Sequence, residues 1–307
     1  MNAGFSTSPN ALARLEPGTL WAKAIAQTQC ALDCGALQPI PTQSLQIEQS
    51  GIPFLVRILA NIARKEKAKK QEENSSNPDF NPFLPYDRDL FVADLSPTHV
   101  CLLNKYNVVD HHLLIITRAF AEQTSLLTHA DFAALWHCLA EVEGLGFYNS
   151  GKTAGASQRH KHLQLVPIPL VPMGQPIPIE IALADTHWDA EIGHSLLLPF
   201  QHAWMKLNWH ETLSDHGAAT LTQTAYHRLL EKLNLYDPID QSLKGAYNLL
   251  ITRQWLLIVP RRQEQFCSIP VNSLGFAGTL FVRDQQQLDR LQEITPLTLL
   301  QNVAQPL

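Results

Sequence analysis

The 307-residue chain predicts an α+β fold: a mostly antiparallel sheet with flanking helices, in two related halves. Three observations predict it. Short apolar runs bounded by turn residues recur at 90–95, 98–103 and 112–117, and again at 247–252 and 255–259, as successive strands do. Apolar residues at helical spacing mark 131–142 and 218–235. A proline-rich connection, 167–178, stands between two loosely similar successions of elements; proline fixes φ and cannot serve in a central ladder. The halves are taken as residues 1–167 and 168–307, and the echo between them is of element order, not of sequence.

In order, Pro17-Gly-Thr opens a helix running to about residue 37, with Leu20, Ala24, Ile25 and Cys34 on part of an apolar stripe. Residues 54–59 read as a strand. From Lys65 to Asn77 the chain is charged and polar without apolar periodicity, a solvated loop whose basic part can still reach a phosphate. Asn81-Pro-Phe-Leu-Pro-Tyr ends it, and Asn104-Lys105-Tyr106-Asn107 turns the chain between the strands at 98–103 and 112–117. The helix at 131–142 carries Phe132, Leu135, Leu139 and Val142 on one face, and Gly144 and Gly146 stop it. A strand at 145–149, a loop at 150–157 and a strand from His160 follow. The second half reads as a strand at 203–207, a helix at 218–235, the strand pair, a glycine-rich turn at 272–278 into a strand, and helical pieces after Asp284 and Thr295.

A net charge of −5 argues against a strongly basic nucleic-acid surface. No apolar run approaches the roughly 20 residues that span a bilayer, and the first 19 residues lack the basic start and apolar stretch of a signal peptide. A cytoplasmic protein with neither membrane nor nucleic-acid partner is expected. The five cysteines are odd in number and scattered, which suits reduced thiols. Cys30 and Cys34 lie one helical turn apart. No second Cys/His cluster accompanies them, so they read as small core residues, and no protein metal site is expected.

One stretch stands out, Gly155-Ala-Ser-Gln-Arg-His-Lys-His-Leu-Gln-Leu-Val-Pro167. On a strand, His160, His162 and Gln164 share one face along about 13 Å, while Leu163 and Leu165 turn to a core. Gly155, Ala156 and Ser157 are small enough to turn tightly and aim backbone N–H groups and a hydroxyl at an anion. Three readings are open. The two imidazoles could chelate zinc, but Gln164 is a poor ligand and His111 or His112 would have to be recruited. They could be ordinary residues of a polar strand face, which an isolated His-x-His by itself favours. Or one imidazole attacks phosphorus, dividing a displacement into two steps, with Ser157, Gln158 and Gln164 as neutral donors to the phosphate oxygens.

Phe147-Tyr-Asn-Ser-Gly151 followed by the stretch from Gly155 to Gln164 resembles the histidine-triad superfamily, in the transferase branch where glutamine replaces the third histidine. It is similar in particular to the diadenosine tetraphosphate phosphorylase, or ATP adenylyltransferase, family. Asn81-Pro-Phe, Leu103-Asn-Lys-Tyr-Asn-Val108, Tyr247-Asn-Leu-Leu-Ile-Thr-Arg253 with Trp255 and Val259-Pro-Arg-Arg262, and Asn272-Ser-Leu-Gly-Phe-Ala-Gly278 resemble family blocks in the same order.

The resemblance implies a histidine-triad-like fold and a reaction in which diadenosine tetraphosphate and phosphate give ATP and ADP. It implies that His162 is the nucleophile and carries AMP, that the His160 carbonyl orients its ring, and that Gln164 donates to a phosphate oxygen. Substrate contacts implied are Asn104, Lys105, Asn149, the loop Gly155, Ala156, Ser157 and Gln158, then Asn272, Ser273, Leu274 and Thr279, with Lys65 and Arg283 as basic contacts. Arg283 stands where the family has a lysine. A divalent cation, magnesium, would be bound through the substrate phosphates. With no second His-x-His in the chain, only the first half keeps the nucleophile. Two alternatives share these residues: a hexose-1-phosphate uridylyltransferase-like enzyme, and a catalytically silent nucleotide-binding sensor.

Overall fold

The computed structural model describes residues 16–59, 81–172 and 174–307. Its backbone is a ten-stranded antiparallel sheet in the order β3-β4-β5-β7-β6-β13-β14-β10-β9-β8. The first half supplies β3 (Phe91–Asp94), β4 (His99–Leu103), β5 (Leu113–Thr117), β6 (Gly144–Asn149) and β7 (His162–Pro167). From the second half come β8 (Thr186–Asp189), β9 (Ile192–Ser195), β10 (Ala203–Lys206), β13 (Tyr247–Ile251) and β14 (Trp255–Pro260). Two short ladders lie outside it: β11 (Tyr236–Asp237) pairs with β12 (Ser242–Leu243), and β15 (Gln265–Phe266) with β16 (Ile269–Pro270). A separate sheet joins β1 (Thr42–Gln49), β2 (Ile52–Leu59) and β17 (Thr279–Val282), the last running parallel to β2.

The large sheet holds the same design twice. The orders β3-β4-β5-β7-β6 and β8-β9-β10-β14-β13 match strand for strand, and a helix lies between the third and fourth strands of each in chain order. These helices are α2 (His129–Leu139) and α4 (Asp215–Lys232). The halves meet at β6 and β13, where Asn149 pairs with Asn248. Ladder ends give the correspondence. Ile116↔His162 closes β5–β7 as Lys206↔Trp255 closes β10–β14, and Gly144↔Pro167 opens β6–β7 as Tyr247↔Pro260 opens β13–β14. Trp255 therefore stands where the first half has His162, and Leu257 where it has Gln164.

Side chains alternate across the sheet as the pleat requires. Leu163, Leu165, Leu249, Ile251 and Ile258 pack beneath α2, α4 and α1 (Leu20–Asp33), whose buried residues include Leu20, Phe132, Leu135, Leu229 and Leu230. On the opposite face Phe147, Val166, Leu250, Leu257 and Val259 meet the small sheet, α3 (Glu180–Ala184), α5 (Ser273–Phe276), α6 (Gln285–Ile294) and α7 (Pro296–Val303). Over β4 and β5 that face carries only a small cluster, Val100, Leu102, Leu114 and Ile116 under Phe83. Helix starts follow their signals. Thr128 and Asp131 form a reciprocal capping box on α2, Ser214 and Asp284 cap α4 and α6, and Pro296 opens α7.

Several expectations need correction. Helix α1 is shorter than 17–37, and its buried face is Leu20, Ala24 and Ala31; Ile25, Cys30 and Cys34 are exposed, so the two cysteines are not core residues. The strand at 54–59 begins at Ile52 and has an unforeseen partner in β1. Its sequence, Thr-Gln-Ser-Leu-Gln-Ile-Glu-Gln, reads as polar because only Leu45 and Ile47 reach the core. Strands β8 and β9, at the exposed edge, went unseen for the same reason. The histidine strand starts at His162, with His160 held by an isolated bridge to Glu122. Lys65 and most of its charged loop lie outside the described residues. Among the described residues, no helix is long and apolar enough to cross a membrane.

Candidate active site

The two histidines have opposite hydrogen-bonding states. Nδ1–H of His162 donates to the His160 carbonyl at 2.7 Å, which assigns the tautomer and leaves the Nε2 lone pair with no partner among the described residues. Burial takes the His162 pKa down to about 4 despite that hydrogen bond, with His160 adding to the fall, so the ring is neutral at pH 7. Only 4% of the residue is exposed, yet Nε2 is not among the fully buried polar atoms left unpaired, so that nitrogen keeps some access to solvent. His160 is spent at both nitrogens: Nε2–H donates to the Thr117 carbonyl at 2.7 Å and Nδ1 accepts from Asn81 Nδ2 at 2.8 Å. Phe83 lies edge-on to both rings, with centroids at 5.7 and 5.4 Å.

Gln164 is polarised from behind. Asn104 Nδ2 donates to His112 Nδ1 at 3.1 Å, and His112 Nε2–H donates to Gln164 Oε1 at 3.0 Å. The glutamine oxygen is thereby occupied and its NH2 is left to donate outward, on the same strand face as His162. Asn104, expected as a nucleotide contact, is here the start of this relay, and its Oδ1 accepts from Tyr106 N at 3.3 Å. Lys105 is half-buried, 3.8 Å from the Asp87 carboxylate.

Asn149, at the end of β6, is tied to the second half. Its Oδ1 accepts from Asn248 Nδ2, Ser273 N and Ser273 Oγ, each at 2.8 Å. Asn248 Oδ1 in turn accepts from Arg261 at 2.5 Å. That buried guanidinium also donates to the carbonyls of Ala154, Val271, Val303, Gln263 and Glu264. Burial lowers its pKa to about 9, with Glu264 opposing, and it stays charged at pH 7. Asn272 caps α5 by accepting from Leu274 N at 3.0 Å. Ser273, Leu274 and Thr279 are buried, and Leu274 lies in the apolar core. Arg283 follows β17 in the small sheet, whereas His162 belongs to the large one, and its N–H donates to Gln287 Oε1 at 2.9 Å.

The loop after β6 turns at Gly151 and Gly155, with φ of +79° and +89°. A Cβ on Gly155 would come within 2.7 Å of the Val271 carbonyl, so this position needs glycine on both counts. The N–H groups of Gly155 and Ala156 do not face an anion as expected. They close the turn, on Lys152 O at 2.8 Å and Gly151 O at 3.1 Å. Among the described residues the loop amides of Lys152, Thr153, Ser157 and Gln158 have no partner, and Ser157 is exposed.

Sequence reasoning passed over several residues that set this geometry. Asn81, Asn248 and Arg261 stood inside the quoted blocks but carried no assigned role. His112 was weighed only as a zinc ligand, and among the described residues no three His, Cys, Asp or Glu side chains converge as a metal site would need. Gln123 had no signal at all. It is 2% exposed and bonds the main chain of both His162 and Asn149. A cavity of about 500 Å³ opens elsewhere, in the second half, between β9, β10 and the end of α4, with His194, His202 and Lys232 in its lining.

Residues 10–185 match the Ap4A phosphorylase N-terminal domain family, and residues 197–306 the ATP adenylyltransferase C-terminal domain family. The chain is 29% identical over 279 residues to diadenosine 5',5'''-P1,P4-tetraphosphate phosphorylase 2 of Saccharomyces cerevisiae, covering 82% of this chain and 83% of that protein. Protein APA1 of the same yeast is 24% identical over 289 residues, 86% of each chain. Among solved structures, yeast Ap4A phosphorylase Apa2 in complex with Ap4A is similar with a TM-score of 0.77 at 23% identity, covering 96% of this chain and 99% of that one. Its complex with AMP gives 0.76 at 23% identity, covering 96% and 98%. At that identity the likeness speaks for the fold.

Proposed function

Because the chain belongs to the Ap4A phosphorylase and ATP adenylyltransferase family, we propose that it is a nucleotidyltransferase that splits diadenosine tetraphosphate with phosphate through His162. Nε2 of His162 attacks an α-phosphorus, the P–O bond to the polyphosphate breaks, and ATP departs with the electron pair. AMP is left on the ring. A phosphate oxygen then attacks the same phosphorus, the P–N bond breaks, and ADP leaves with His162 restored. The His160 carbonyl, already accepting Nδ1–H, offsets the positive charge the ring acquires in the adduct. Gln164 donates its NH2 to a phosphate oxygen. It has no proton to relay, which suits a polyphosphate leaving group that needs none.

The observation that carries this reading is the tautomer: Nδ1–H engaged and Nε2 open, in register with the outward amide of Gln164. The residues this reading sets around the phosphate, Ser157, Gln158 and Gln164, are amides and a hydroxyl, too weak a set for a cation cage. A magnesium ion would therefore take its oxygens from the phosphates and supply charge neutralisation. Ser157 and Gln158 are the loop contacts, and Lys65, Lys105 and Arg283 serve the outlying phosphates. The half ending at 167 holds the nucleophile and the half from 168 completes the nucleotide site, in a protein of the cytoplasm. The test is intact-protein mass spectrometry after mixing with diadenosine tetraphosphate in the absence of phosphate. An AMP-sized adduct mapped to His162, and lost in His162→Ala, is expected; full phosphorolysis by His162→Ala would end the proposal.

A further inference from the structure

A strand ladder stops just short of the reactive histidine. β6 and β7 pair from Gly144↔Pro167 to Phe147↔Gln164, and the same register carried on would set Asn149 opposite His162. Instead, the carboxamide of Gln123 stands between them. Its Nε2 donates to the Asn149 carbonyl at 2.9 Å and to the His162 carbonyl at 3.2 Å, while its Oε1 accepts from His162 N–H at 2.8 Å. The residue is itself fixed: its N–H donates to the Arg159 carbonyl at 2.6 Å, and its carbonyl accepts from the Tyr148 hydroxyl.

The other half shows what happens without such a residue. β13 and β14 pair on to Ile251↔Leu256, and Thr252 N–H then donates directly to the Trp255 carbonyl at 2.9 Å. By the ladder correspondence, Thr252 and Trp255 are the counterparts of Asn149 and His162. Where the histidine is missing the hairpin zips shut, and where it is present a side chain holds the strands apart. Paired strands lie about 4.8 Å from one another. A chain that must leave β6, curl round a phosphate and return into β7 needs a wider mouth.

We propose that Gln123 is a positioning residue: its amide acts as a surrogate strand that wedges β6 and β7 apart and fixes the main chain of His162, so that Nε2 bears on the phosphorus. It rests on the reading of His162 as nucleophile, and Gln123 itself touches no reacting atom. A primary amide is the neutral side-chain group that offers an acceptor and two donors together, and all three are used here. Glutamate at the same place has no N–H and would set a carboxylate against two carbonyl oxygens. Methionine fills the space and leaves the His162 N–H and carbonyl without the amide, while the Asn149 carbonyl keeps only the Gly151 N–H.

The experiment compares Gln123→Glu and Gln123→Met with the intact enzyme, measuring kcat and KM for diadenosine tetraphosphate, the single-turnover rate of adduct formation, and the thermal unfolding midpoint. Folded variants should lose about 30-fold or more in kcat and in adduct formation, with KM changed less than about threefold. A role in packing alone would leave Gln123→Met near the wild type. Both variants within twofold of wild-type kcat would overturn the proposal. Should neither fold, hydrogen exchange on the wild type decides: the His162 amide must be as protected as its β7 neighbours, and exchange at the rate of an open loop would overturn it. The two readings fail separately, because absence of the His162 adduct in wild type removes the nucleophile whatever the amide exchange shows.

Discussion

His162 and His202 make the same bond in the two halves. Each Nδ1 donates to the carbonyl two residues back, His160 at 2.7 Å and Phe200 at 2.8 Å, and burial brings each pKa down to about 4. They part at Nε2, which in His202 accepts from Ser195 N at 2.8 Å and in His162 stays open. A ring bonded this way is not by itself fit to attack at Nε2; a vacant lone pair there is the requirement, and of the two rings His162 meets it. Both rings also tie stability to acidity. Below pH ~6.5 an unfolded chain takes up protons that the folded rings refuse, so stability falls as the pH drops from about 6.5 toward 4. Asp131 contributes in a lower window. Burial would raise it, but His99, Lys161 and Thr128 hold it at about 2, a contribution present above pH ~4 and lost on the way down to 2. Urea midpoints should be lower at pH 5 than at pH 7; equal midpoints would contradict the histidine assignment.

Arg261 shows how distant segments are fastened into one site. It sits just past β14 and donates to the loop after β6, the turn before α5 and the end of α7. Replacing it by methionine leaves several buried acceptors unpaired, so a loss of roughly 3 kcal/mol or more in unfolding free energy is expected, with slower turnover. A denaturation curve within 1 kcal/mol of wild type would refute this. Such fastenings are what the sequence conceals. Strands that are short unbroken apolar runs, such as β4 and β5, and helices with start signals, the Asp284 cap of α6 and Pro296 of α7, announce themselves locally. Strand β1 and the β8–β9 edge do not, since half of each faces water. At the site, the i, i+2, i+4 spacing of His160, His162 and Gln164 sets them on one face from the motif alone. Gln123 could not: its bonds span 26 and 39 residues, and no local pattern records them. The buried places of Ser273, Leu274 and Thr279 were hidden likewise, because burial depends on which sheet face the C-terminal helices cover.

The repeated five-strand order makes the molecule two copies of one design that differ along the histidine strand. In the second copy Trp255 and Leu257 fill the stations of His162 and Gln164, and Trp255 donates to Glu180 at 2.8 Å inside the packed face. Titration with diadenosine tetraphosphate without phosphate should therefore saturate at one adduct per chain; two would show a second reactive ring. The copies are also braced by tyrosines, since the hydroxyls of Tyr226 and Tyr247 lie 2.6 Å apart and Tyr226 takes the Leu127 N–H from the first copy. The seam itself runs through Asn149 and Asn248, a few residues from the loop after β6. A blemish in the silent copy, anywhere along the line from Arg261 to that seam, would thus surface in an assay as failed chemistry, though every reacting atom belonged to its sibling.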